Sequence, residues 1–214
     1  MTDIRIRAAS VEDASFLAWV ILTAGRAHVK RGIWEVVLGM PWEQCLHFLR
    51  LLSVTVVPHL FHHSCYLVAD VAGVPRAGLG GYDPNVSGNT ALLQALQEVY
   101  QLIDGASPSM SQDGTPPRIL GCIPEPVEGA WMIDSVAAVQ EFRRQGIVGK
   151  LLEAVLTQGR AKGFPRAQVN IYIGNTAAQR LYEKHGFAIM DEMRSPYFEA
   201  EIGSPGMARM LRDL

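Results

Sequence analysis

Apolar and polar positions alternate over residues 4–9, IRIRAA, the period-two pattern of a half-exposed strand. Ser10 follows, three residues ahead of Asp13, in a capping-box-like helix start: a hydroxyl to accept from early N–H groups and a carboxylate at the positive end. Phe16, Leu17, Val20 and Ile21 then supply one buried helical face. A second helix is predicted over 42–52, with Cys45, Leu46, Phe48 and Leu52 apolar. Residues 65–82, CYLVADVAGVPRAGLGGY, read as two strands around a turn at 72–75. Leu92, Leu93, Leu96, Val99, Tyr100 and Ile103 recur at helical spacing and predict a helix over 89–104. The turn-rich GASPSMSQDGTPP after it reads as an exposed, mobile loop rather than a linker, because neither flank carries a self-sufficient pattern.

Residues 130–139, AWMIDSVAAV, read as a buried strand. Val148, Leu151, Leu152 and Val155 fall at i, i+3, i+4 and i+7 on the next helix, and Gly163 and Pro165 mark its end. Residues 166–173 form another strand. Asn175 caps a further helix, with Ala178, Leu181 and Tyr182 on one face and Lys184, His185 and Gly186 at its close. FAIMDEMRSPYF and GMARMLRDL read as closing strands. The C-terminal half is thus β-α-β-α-β-β, which makes the chain α/β or mixed α+β. No internal repeat is present, and the 214 residues suit a single domain.

Composition narrows the function. Hydrophobic residues make up 49% of the chain, enough for a sizeable core. A net charge of −2 supplies no basic excess for a nucleic-acid backbone, so no such partner is expected. No apolar run approaches the roughly 20 residues of a membrane span, and the N-terminus lacks a signal-peptide core. Cys45, Cys65 and Cys122 are scattered and odd in number, so buried reduced thiols are expected rather than a metal or disulfide framework. A soluble cytoplasmic protein, with no metal and no membrane partner, follows.

Candidate chemistry concentrates in EFRRQGIVGKLLEAV, Glu141 to Val155. A P-loop requires G-x-x-x-x-G-K-[ST]; Arg144 stands at the first glycine and Leu151 at the hydroxyl position, which excludes it. A dinucleotide fingerprint, G-x-G-x-x-G, fails at Arg144 as well. R-x-x-G-x-G/A remains, matched at Arg143 and Gly146 with Val148 in the last place. Free N–H groups at a helix start over 146–150, the helix dipole, and the charges of Arg143 and Arg144 would together suit a pyrophosphate. From this stretch alone, a plain glycine-containing helix start is an equally good reading.

A second motif separates the two. NTAAQRLYEKHGF, Asn175 to Phe187, matches N-x-x-A-x-x-L-Y-x-x-x-G-F without a gap. With VAA at 136–138 standing for the L-A-V strand segment, the chain resembles the GNAT superfamily of acyl-CoA-dependent N-acyltransferases. The resemblance is specific over 132–187, looser over the N-terminal strand and helix, and broken by a helix-plus-loop insertion at about 89–118.

The resemblance implies a central, mostly antiparallel mixed sheet, splayed at the cofactor strand and flanked by helices. It implies acetyl-CoA as cosubstrate, with its pyrophosphate on the backbone of Gln145, Gly146, Ile147, Val148, Gly149 and Lys150, flanked by Arg143 and Arg144. Val148 replaces a small residue there and is expected to crowd the loop. The pantetheine arm would pair with the backbones of Val136, Ala137 and Ala138, one N–H polarising the thioester carbonyl, and Asn175 would touch the arm as well as cap its helix. Tyr182 matches the general acid that protonates the leaving thiolate. The implied reaction is transfer of an acetyl group to a primary amine of a small molecule or peptide, and homodimers are common for the fold.

Asp134, just before the cofactor segment, is the most economical base, and burial there would raise its pKa; Glu128 is a weaker one. His59, His62 and His63 have poor spacing for one metal and read as packing or solvated histidines. Trp34 and Glu35 lie where the family builds its acceptor wall. An acyl-CoA-binding or sensing module without turnover is the competing function, and an unrelated α/β protein acting through the 89–104 helix is a third.

Overall fold

The computed structural model describes residues 4–103 and 117–214. The chain runs β1 (Ile4–Ala8), α1 (Ala14–Arg26), α2 (Ile33–Leu38), α3 (Trp42–Leu52), β2 (Tyr66–Val71), β3 (Val74–Tyr82), α4 (Pro84–Ser87) and α5 (Asn89–Leu102). It continues with β4 (Ala130–Ala138), α6 (Ile147–Ala161), β5 (Arg166–Tyr172), α7 (Thr176–Lys184), β6 (Ala188–Arg194), α8 (Pro196–Ile202) and β7 (Gly206–Asp213). The strands form one sheet in the order β1-β2-β3-β4-β5-β7-β6. Every neighbouring pair is antiparallel except β4 and β5, which are parallel and joined through α6. This is the mixed, mostly antiparallel sheet expected from the sequence.

Side-chain alternation divides the sheet into two packed faces. Tyr66, Val68, Tyr82, Ala130 and Met132 face α1, α3 and α5, whose Leu17, Ile21, Phe48, Leu49, Ala95 and Val99 are buried against them. Trp131, Ile133, Val169 and Ile171 face the other way, onto Ile147, Leu151, Leu152 and Val155 of α6. The predicted face of α6 therefore holds, with Val148 partly buried and Ile147, beside it, almost fully buried. A third cluster joins α8 to the end of β5 through Phe198, Ile202, Tyr172 and Met207.

Two departures from the sequence reading have local causes. FAIMDEMRSPYF is a strand only as far as Arg194; Ser195 then accepts from the Phe198 N–H, and Pro196 opens α8. A short α2 was not predicted. It depends on Glu35, which accepts from the Gly32 N–H at 2.9 Å and from Arg26 at 2.6 and 3.0 Å. The predicted mobile loop lies almost entirely outside the described residues.

Asp13 holds the N-terminal start as its spacing suggested. Its carboxylate accepts from the Ser10 N–H at 2.9 Å, and Arg7 clasps it at 2.7 and 2.9 Å. His59 and His62 are packing residues: His59 is fully buried, with Nε2 3.0 Å from the Leu52 carbonyl oxygen, and His62 Nδ1 lies 2.7 Å from Ser64 Oγ. Burial depresses both to pKa values of about 4, and His63 adds to the effect on His62. Among the described residues, no helix is long and apolar enough to cross a membrane.

Candidate active site

The sheet opens at its parallel seam. β4 pairs with β5 from Ala130–Arg166 to Ile133–Val169 and no further, although both strands continue. Beyond that point, β4 remains paired to β3, with Gly80 opposite Asp134 and Gly78 opposite Ala137. Two residues of β4, Ser135 and Val136, thus stand against one of β3: a bulge. Ser135 has φ +51, the left-handed geometry that lets a bulge turn a strand. The result is a cleft between the diverging halves of β4 and β5.

Backbone alternation decides which groups face the cleft. The Val139 N–H donates to the Arg76 carbonyl on β3, so Ala138 and, two residues back, Val136 turn their polar groups away from β3. Ala137 is turned toward Gly78. Of the three backbones expected to meet a ligand, Val136 and Ala138 are therefore presented to the opening. Arg143 Nε donates to the Ala138 carbonyl at 3.0 Å, which ties the loop before α6 to the end of β4.

That loop leaves the first N–H groups of α6 open. Arg144 has φ +59 and Gly146 φ +77, and Gly146 directly precedes α6. The N–H groups of Ile147, Val148 and Gly149 lie in the first turn, where no i−4 carbonyl is available. The first bond within the helix runs from the Lys150 N–H to Gly146 O at 3.1 Å. Lys150 therefore offers its exposed ammonium rather than its amide, and the free row ends at Gly149. Nothing lies within 4 Å of the Cβ position at Gly146, so the approach is open. Val148, expected to crowd the loop, instead packs against the core cluster beneath α6. The Gln145 side chain donates to the Glu141 carbonyl at 2.6 Å.

A cavity of about 520 Å³ adjoins this turn, lined by Gly146, Gly149, Lys150, Leu181, Lys184 and His185, among others. The sequence reading missed His185 as part of it. His185 Nδ1 lies 2.8 Å from the Leu181 carbonyl oxygen, and Nε2 would lie 3.1 Å from a Cβ at position 149. Glycine at 149 thus lets α7 close against α6. Asn175 accepts from the Ala178 N–H at 3.2 Å and caps α7 through its oxygen, a cap that does not use its amide donors.

Tyr182 projects from α7, 2% exposed, with its ring edge-to-face against Phe187 at 5.5 Å. Burial raises its phenol pKa well above the ordinary value, and the Asp134 charge raises it further. Asp134 itself is only partly exposed, crowded by protein but still in contact with solvent. Burial raises its pKa, opposed by a short hydrogen bond from Ser135 Oγ to Oδ1 at 2.6 Å. Its charge is also felt by Tyr66, Tyr82 and Tyr172. Of the two predicted catalytic side chains, Asp134 directly follows the last β4–β5 pair, and Tyr182 lies in the core cluster on the α6 face of the sheet. Glu128 is exposed and Glu35 is held by Arg26. Tyr172, at the end of β5, donates to the Gly25 carbonyl at 2.6 Å and accepts from the Ile33 N–H at 3.3 Å, which pins the α1–α2 turn beside the cleft.

Comparison with known proteins agrees with this fold. Residues 40–187 match the model of the acetyltransferase (GNAT) family, and the chain belongs to that family of acyltransferase enzymes. Its fold is similar to that of an N-acetyltransferase from Staphylococcus aureus Mu50, at 19% identity and a TM-score of 0.67 over 97% of this chain and 100% of that one. A crystal structure described as an acetyltransferase superposes with a TM-score of 0.68 at 20% identity, covering 98% of each chain. A GCN5-related N-acetyltransferase from Kribbella flavida gives 0.57 at 16% identity, over 99% of this chain and 98% of that one. No curated protein matches the sequence.

Proposed function

We propose that this enzyme transfers the acetyl group of acetyl-CoA to a primary amine of a small molecule or peptide, by direct attack of the amine. The observation that carries the reading is the end of β4–β5 pairing at Ile133, next to Asp134 and ahead of a helix start whose first N–H groups are unpaired among the described residues. Acetyl-CoA supplies an acyl group activated as a thioester. The N–H groups of Gly146 to Gly149 hold the pyrophosphate, with Arg143, Arg144, Gln145 and Lys150 around it. Val136 and Ala138 pair with the pantetheine arm, and a cleft-facing N–H from the 136–138 segment donates to the thioester carbonyl. Asn175 offers its side-chain amide to the same arm.

Asp134 takes the proton that the amine nitrogen gives up as it bonds to the acyl carbon. Tyr182 gives its phenolic proton to the sulfur as the carbon–sulfur bond breaks. A raised carboxylate pKa makes Asp134 a better proton acceptor, and a raised phenol pKa keeps Tyr182 protonated until a thiolate develops. The unpaired thiols of Cys45, Cys65 and Cys122 fit a reducing, cytoplasmic setting.

An acetyl-CoA thiol-release screen over a panel of amines tests the function. Turnover is expected with at least one acceptor, and Tyr182→Phe or Asp134→Asn should each lower kcat by about 100-fold or more without weakening coenzyme A binding. Coenzyme A binding without turnover of any acceptor would favour an acyl-CoA-binding module, and undiminished turnover by Tyr182→Phe would remove its acid role.

A further inference from the structure

Tyr66, the first residue of β2, is only 1% exposed, and its hydroxyl is buried with no hydrogen-bond partner among the described residues. Phenylalanine would fill the same space without leaving a polar atom unpaired, so the hydroxyl calls for an explanation. Its ring reaches across β3 at Gly80. A Cβ there would lie 3.0 Å from the Asp134 carbonyl oxygen and 3.1 and 3.2 Å from Cζ and Cε1 of Tyr66. Glycine at position 80 is thus what brings the Tyr66 hydroxyl end beside the β4 bulge. Ser135 follows Asp134 in that bulge, on the strand that the hydroxyl end of Tyr66 approaches over Gly80. The Ser135 hydroxyl hydrogen is directed to Asp134 Oδ1 at 2.6 Å, which leaves its oxygen lone pairs as acceptors.

We propose that Tyr66 is a positioning residue for Asp134: its O–H turns to Ser135 Oγ, Ser135 donates in turn to the carboxylate, and this chain of donors orients Asp134 and favours its charged form. The inference rests on the reading of Asp134 as the base. The chain opposes the desolvation of the carboxylate. The bulge contributes by holding Ser135 at φ +51, which sets the direction of its side chain. The titratable groups whose surroundings include Asp134 are the phenols of Tyr66 on β2, Tyr82 on β3, Tyr172 on β5 and Tyr182 on α7. Behind them, Cys65 and Glu125 act on Tyr82, and Glu35 acts on Tyr172. Among the described residues, no cation forms a salt bridge with Asp134, so neutral donors are what oppose its desolvation.

The test is a carbon-13 NMR titration of the aspartate carboxyls in the full chain, with the Asp134 resonance assigned from Asp134→Asn. Tyr66→Phe should raise the Asp134 pKa by about 0.5–1 unit, a roughly three- to ten-fold increase in proton affinity, because a donor to the charged form is lost. Ser135→Ala should raise it at least as much, and the double variant no further than Ser135→Ala alone, because the coupling runs through Ser135. Site-specific 3-fluorotyrosine at position 66, a stronger donor of nearly the same shape, should lower it and serves if Tyr66→Phe does not fold. An Asp134 pKa unmoved by either change at Tyr66, or strictly additive effects of Tyr66→Phe and Ser135→Ala, would overturn the proposal. The titration needs no acceptor. Full turnover by Asp134→Asn would therefore remove the base assignment and still leave the measured coupling standing or refuted on its own.

Discussion

Replacing Gly146 with alanine separates the conformation of the loop from its sterics. The residue sits at φ +77 immediately before α6, and no atom lies within 4 Å of where a Cβ would be. The whole cost is therefore that of holding an L-residue in the left-handed region, about 1–2 kcal/mol. The smaller unfolded-state entropy of alanine offsets roughly 0.4–1 kcal/mol of it. A net loss of about 1 kcal/mol should lower Tm by about 2–4 °C. Binding should suffer more. A loop that relaxes toward right-handed geometry turns the N–H groups of Ile147 to Gly149 away from the anion. Loss of one hydrogen bond to a charged group is worth about 1.5–3 kcal/mol, roughly a 10- to 100-fold weaker Kd.

Gly163 provides the control. It lies at the other end of α6 with φ +83 and is equally open. Gly163→Ala should cost similar stability and leave coenzyme A affinity unchanged. Thermal melts and calorimetric titration with coenzyme A measure both quantities. Equal affinities for Gly146→Ala and Gly163→Ala would refute the assignment of the loop to the pyrophosphate.

Two further outcomes concern stability. His59 has a folded-state pKa of about 4, below its unfolded value of 6.5, so the unfolded chain binds more protons in between. Its contribution is present above pH 6.5 and is lost as pH falls toward 4. About 2 kcal/mol should disappear between pH 7 and 5, measured as a fall in the urea midpoint at constant m-value. A His59 imidazole that titrates near 6.5 by NMR would refute this. Gly81→Ala would drive a Cβ into Val155 Cγ1 and place it 2.9 Å from Trp131 Nε1. Such overpacking should cost about 1–3 kcal/mol in chemical denaturation, and an unchanged midpoint would mean that α6 and Trp131 can yield without penalty.

The parts of the molecule that were legible in the sequence are those governed by local periodicity and by short motifs. The face of α6, the capping of α7 by Asn175 and the strand around Asp134 all follow from residues close together in the chain. The bulge at Ser135 was not legible, because it depends on Gly78 and Gly80 some 55 residues earlier in β3. Nor was Tyr66, whose relation to Asp134 exists only because a glycine on the intervening strand lets its ring pass. The crowding expected of Val148 was a misreading of direction: motif spacing names a position, whereas the helix turns that side chain toward the core. Helix α8 was missed because an apolar run after Arg194 looks like a continuing strand unless Ser195 and Pro196 are weighed as a cap and a first-turn residue.

The four parallel pairs between Ala130–Ile133 and Arg166–Val169 are also a mechanical feature. Within the sheet they are all that fastens a four-stranded plate, β1 to β4, to a three-stranded one, β5 to β7. Past that short seam, the facing backbones have the spare rungs of a ladder and no opposite rail. A pantetheine-like arm lying in the gap would act as that rail, so that filling the cleft and bracing the two plates against each other become a single event.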